Sequence, residues 1–185
     1  MRMVQWTRAG VCAALLLSGG VSFAEGSSQP PSQTENADAT SDRGFLASAL
    51  RVNQVELTLG QMAAERGSTP EVKAMGAKMV QKHTELGGQL ADQARRLGVS
   101  TAPELSPDQR SAVVRLASLS GSAFDKSFKG TVDAGHAREL AMYRGEASHT
   151  ADPGLRDLDG RRAATLEQTV AQASQAAKPK PKNDW

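Results

Sequence analysis

The chain has 185 residues, 22 of them basic and 20 acidic, with one cysteine, two Trp, one Tyr and four Phe. A single cysteine excludes an internal disulfide framework, and an apolar content of 39% excludes a collagen-like or wholly disordered chain. So few aromatics point to a core of Leu, Val, Met and Ala, and the length favours one folded domain.

Residues 1–24 carry Arg2 and Arg8, then an apolar stretch from Val11 to Leu17, then Ser22-Phe23-Ala24. A basic start, a short apolar core and a small-x-small site predict a secretory signal peptide cleaved after Ala24. The stretch is too short to span a membrane, which takes about 20 residues. Cys12 precedes Leu15, Leu16 and Leu17, so it is not placed as a lipid-anchor cysteine. Removing Arg2 and Arg8 brings the basic residues level with the 20 acidic ones and takes away the only cysteine. A neutral, thiol-free product argues against nucleic-acid binding and suits an oxidising compartment. The expectation is export, with the periplasm as destination and secretion or envelope association as alternatives.

Residues 25–42 are rich in Ser, Gln, Pro and Asp with no apolar run, and predict a flexible leader. Residues 43–176 then read as helices. Ser41 or Asp42 can cap a first helix with the stripe Phe45, Ala49, Val52, Glu56, Leu59 and Ala63, ended by Gly67. Ser68-Thr69-Pro70-Glu71 opens a second, with Val72, Gly76, Met79, His83, Leu86 and Leu90 on one face. Ser106-Pro107-Asp108-Gln109 starts a short segment that breaks at Gly121. The next long helix carries Phe124, Phe128, Val132, His136, Leu140, Tyr143 and Ala147. Asp152-Pro153 begins the last, with Leu155, Leu158, Leu166, Val170 and Ala173. Residues 177–185 alternate Lys with Pro and predict an extended, solvated tail, open to weak contact with anionic envelope polymers. The pattern predicts an all-α fold, a four-helix bundle with a short extra helix before helix three.

Glu56, His83 and His136 interrupt three of the apolar stripes. Buried carboxylates and imidazoles are costly unless hydrogen-bonded or metal-bound. They therefore either bond to each other or to water and set helix register, or hold a divalent metal such as iron, manganese or zinc. Glu146 and His149 have the i, i+3 spacing of a carboxylate-bridged metal motif, but His149 falls in the last turn before Asp152-Pro153, the place of a helix-dipole partner. Met62, Met75, Met79 and Met142 read as core filler. The chain has no phosphate-binding loop, dinucleotide fingerprint or nucleophile elbow, and no catalytic or cofactor-binding residue is assigned.

The runs FLASALRVNQVELTLGQMA, PEVKAMGAKMVQKHTEL, LSGSAFDKSF and DAGHARELAMYRGEA resemble the exported bacterial family known as domain of unknown function 4142. The likeness spans about residues 45–173 and implies a ferritin-like bundle and export. It also implies that Glu56, His83 and His136 stand where the family carries the same residues, with Phe124 and Asp125 as its F-D pair. Lys82 and Phe128 depart from the family's usual acidic residue and Tyr, and Thr169 stands where a histidine is usual. The family's frequent outer-membrane label finds no span or barrel pattern in this sequence. The leading reading is an exported, soluble helical-bundle protein without catalytic activity, binding or stress-associated in role. The alternative is a metal-binding ferritin-like bundle with storage or redox activity.

Overall fold

The computed structural model describes residues 33–102 and 104–176; the expected signal peptide, the start of the expected leader and the expected Lys/Pro tail lie outside them. Five helices follow in order: α1 (Gln33–Arg66), α2 (Pro70–Arg96), α3 (Pro107–Ala117), α4 (Gly121–His149) and α5 (Pro153–Ala176). The starts read from sequence are built as capping chemistry requires. The Thr69 hydroxyl accepts from the Val72 amide ahead of Pro70, and Ser106 and Gln109 form a reciprocal capping box. At the head of α5 the Asp152 carboxylate accepts from the Leu155 amide at 2.9 Å.

The first helix begins earlier than its composition suggests. It opens at Gln33, so residues 33–42 of the expected leader are helical, and neither Ser41 nor Asp42 is its cap. Extending a nucleated helix adds one hydrogen bond per residue fixed, and no Gly or Pro interrupts this segment. Asp42 lies inside the helix, buried with Phe45 and Leu46 one turn on. Leu46 and Leu50, on the flank of the expected stripe, are buried too, because α1 packs against both α2 and α4.

The helices form two antiparallel hairpins, α1 with α2 and α4 with α5, and further contacts join α1 to α4 and α2 to α5. Ser68, in the α1–α2 turn, donates its amide to Asp125 Oδ1 (2.9 Å) and its hydroxyl to Asp125 Oδ2 (2.7 Å). That pins the turn to the start of α4, and these bonds hold the Asp125 carboxyl below its usual range. At the other end Arg96, closing α2, grips Asp152 with two bonds of 2.6 and 2.8 Å. Hence α2 and α4 run the same way. Residues 97–120, including α3, must climb the whole bundle to connect them, the single long crossover of the ferritin-like arrangement.

The core is two apolar clusters. One gathers Phe45, Leu46, Leu50, Leu86, Leu90, Tyr143, Leu155 and Leu166 toward the α4–α5 turn. The other gathers Leu59, Val72, Met79, Phe124, Phe128 and Val132 toward the α1–α2 turn. On α1, α2 and α4 buried polar residues fall between them: Asn53 and Glu56 on α1, His83 on α2, and His136 and Glu139 on α4. The bundle therefore carries a polar layer across its middle.

Candidate metal centre

Glu56, His83 and His136 come together in that layer. One ligand-type atom from each lies within 4.8 Å of the others, and the residues are 3%, 3% and 8% exposed. Their convergence follows from helix phase. Glu56 lies seven residues, about two turns, before Ala63, and His83 lies four residues after Met79, so each shares the face of a core neighbour. His136 continues the Phe128–Val132 row of α4.

The partners of these side chains set their chemistry. Asn53, one turn before Glu56, places its amide oxygen 3.0 Å from His83 Nδ1. With a carbonyl as acceptor, Nδ1 must carry the proton, and Nε2 presents its lone pair. Such an outer hydrogen bond orients a metal-ligating imidazole and strengthens it as a donor. Burial, together with the nearby Arg162 guanidinium, lowers His83 to about 3 and His136 to about 4, so both rings are neutral at pH 7. Burial and then the Glu139 charge raise Glu56 to about 8, while Arg162 and Arg138 oppose this. Glu56 Oε2 has no hydrogen-bond partner among the described residues.

Beside the triad, Arg162 of α5 binds Glu139 through Nε and Nη2, at 2.8 Å for the closest contact to Oε1 and 2.9 Å to Oε2. In this pair Glu139 is buried and Arg162 half-buried, and the carboxylate offsets part of the cationic charge beside the triad. Two glycines make room for the centre. A Cβ on Gly87 would meet the Asn53 amide nitrogen at 2.8 Å, and one on Gly135 would meet Glu56 Oε1 at 2.8 Å. Asn53, Gly87, Gly135, Glu139 and Arg162 all stand outside the apolar stripes of the sequence. Asn53 and Glu139 were accessible through their i−3 and i+3 relation to Glu56 and His136, whereas Arg162 looks like any surface arginine of an amphipathic helix.

Other expected features separate. Glu146 is buried but His149 is exposed, its Nδ1 2.7 Å from the Gly145 carbonyl in the final turn of α4, as a C-terminal partner would be. Met79 sits in the core, with Met62, Met75 and Met142 packed at its edge. Thr169 is half-buried, its hydroxyl donating to the Thr165 carbonyl at 3.0 Å. It shares with His136 a cavity of about 280 Å³ between α4 and α5.

None of the curated proteins matches this chain. Among solved structures, the crystal structure of a DUF305 fragment from Deinococcus radiodurans is similar, with a TM-score of 0.64 and 16% identity over 80% of this chain and 97% of that one. At that identity the likeness speaks for the helical fold alone. No helix among the described residues is long and apolar enough to cross a membrane. The sequence model described as Domain of unknown function (DUF4142) matches residues 27–176, which take in all the helices that build the polar layer and its three converging donors, and the chain belongs to that family.

Proposed function

We propose that the domain binds one first-row divalent metal ion, iron, manganese or zinc, through Glu56, His83 and His136, and that it does so outside the cytoplasm after loss of residues 1–24. The observation that carries the reading is the convergence of the three buried donors within 4.8 Å. Two neutral imidazoles and a carboxylate, once Glu56 gives up its proton on binding, form a donor set common to zinc and non-haem iron sites, and three protein ligands leave positions open. The Asn53 bond to His83 and the neutralising Glu139–Arg162 pair support it further. Export rests on the signal-peptide pattern of residues 1–24.

Protein purified without an affinity tag, stripped with chelator and titrated calorimetrically with zinc, manganese and iron(II) tests the proposal. One equivalent should bind, His83→Ala should weaken binding by about 100-fold or more, and Asn53→Ala by about 10–100-fold. Gly135→Ala separates site from fold. The added methyl displaces the end of the Glu56 side chain, so affinity should fall while stability is kept or rises by up to about 1 kcal/mol. No binding by the parent, with the fold intact, would leave the polar layer as a device for helix register.

Thr169 supplies an independent gain-of-function test. Thr169→His offers an imidazole from the α5 side of the cavity it shares with His136. Zinc favours four ligands in closed sites, so zinc affinity should rise at least tenfold and zinc should raise the unfolding temperature by mass action. His83→Ala in that background should remove the gain.

A further inference from the structure

On the opposite side of α4 from the Thr169 cavity lies a larger one, about 670 Å³, between α1, α3 and α4. Its volume is that of small-molecule sites in general. Its apolar wall comes from Val52, Val55 and Leu59 of α1 and Met142 of α4, with Gln109 of α3 and Ser127 and Thr131 of α4 adding uncharged polar groups. Glu56 also lines it, buried, with one oxygen lacking a partner among the described residues. The crossover makes the roof. Helix α3 buries a single side chain, Leu116, and Arg66 holds its far end by bonds of 2.9 Å to the Ala117 carbonyl and 2.8 Å to the Leu119 carbonyl. The start of α3 thus overhangs the cavity without being packed into the core.

The charges at the mouth are asymmetric. Arg115 of α3 and Arg138 of α4 both line the cavity and are exposed, and among the described residues neither makes an ion pair or side-chain hydrogen bond. Against them stand Asp108 on the rim and Glu139, which is neutralised by Arg162. An apolar chamber with two unpaired guanidinium groups over its entrance is complementary to a molecule with an apolar body and one anionic head. We infer that this cavity is a binding site for a small amphiphilic monoanion, its chain against Val52, Val55, Leu59 and Met142 and its head between Arg115 and Arg138. The inference does not require a metal at Glu56.

Decanoate is a suitable probe, titrated calorimetrically into the chain lacking residues 1–24, in chelator so that the outcome is independent of the metal centre. Saturable binding should appear, with decanol at least tenfold weaker than decanoate. Arg138→Gln should weaken decanoate about tenfold, as loss of one charge-assisted bond does. Gly130 also lines the cavity, and a Cβ there meets nothing within 4 Å. Gly130→Phe should therefore fill the chamber and abolish binding while circular dichroism and the unfolding midpoint show an intact bundle. Absence of decanoate binding by the parent, equal binding by Gly130→Phe, or equal affinity for decanol would each overturn the inference.

Discussion

Replacing Gly76 with alanine should destabilise the domain by about 1–3 kcal/mol, the range of overpacking, even though alanine is the better helix former by about 1 kcal/mol. Helices α1 and α2 meet backbone to backbone at this point. A Cβ on Gly76 would stand 2.6 Å from the Gly60 carbonyl oxygen and 2.8 Å from the Ala63 carbonyl carbon, closer still to the Ala64 nitrogen. None of these is a flexible side-chain end that could swing aside, so the two helices must part. Parting them loosens Leu59, Ala63, Val72 and Met79 in one cluster. Gly88→Ala on the same helix is the matched control. Nothing lies within 4 Å of its added carbon, and stability should rise by about 0.5–1 kcal/mol. Urea unfolding of the two variants reads the difference directly. If Gly76→Ala proved as stable as Gly88→Ala, the close approach of α1 and α2 would be wrong.

Stability should fall as pH rises from 6.5 to 8, and Asp159→Asn should remove a large part of that fall. Asp159 of α5 is 0% exposed, and neither carboxyl oxygen has a hydrogen-bond partner among the described residues. Burial, then the charges of Glu146, Asp42 and Asp152, raise it to about 8. Glu146 is raised to about 7 by burial and then by the neighbouring Asp42 carboxyl. In the unfolded chain such carboxyls titrate near 4. A carboxyl whose folded value is raised contributes its full stability below the unfolded value, and that contribution is lost as pH climbs through the folded one. Each group costs on the order of 1 kcal/mol per pH unit in between. His83 and His136 act with the opposite sign, being lowered in the folded state, and destabilise as pH falls toward and below about 6.5, where the unfolded chain takes up protons. By about 7.5 they are nearly neutral in both states, and from there the carboxyls set the slope, with Glu56 acting in the same direction. Chemical unfolding in chelator at pH 6.5, 7.2 and 8 should show the parent losing stability and Asp159→Asn gaining on it steadily. Parallel pH profiles would mean that Asp159 does not titrate in this range.

Much of the architecture is a local property of the chain and was legible there. The α2 stripe from Val72 to Leu90 is buried residue for residue as its period requires, and the caps at Thr69 and Ser106 lie where their side chains can reach free amides. Glu56, His83 and His136 stood out for the same reason, as polar residues on faces whose neighbours are apolar. What the period could not carry was helix phase over long distances. Four steps of four from Phe124 to Leu140 rotate a face by about 160°, so beyond His136 the buried side of α4 is Glu139, Tyr143 and Glu146, while Leu140 and Ala147 turn toward its edge. That rotation brings Glu139 to Arg162 and places Glu146 against Asp42. Asp42 resembles a helix cap as much as Ser41 does, because nothing local distinguishes a capping aspartate from one buried by helices more than a hundred residues away. Periodicity and capping fix the five helices, the starts of α2, α3 and α5 and the three candidate ligands, since these depend on hydrogen bonds and spacing within a few turns. The tertiary structure decided which carboxylates are buried together, which glycines must stay bare and which arginine neutralises the centre, since those depend on how the two hairpins meet.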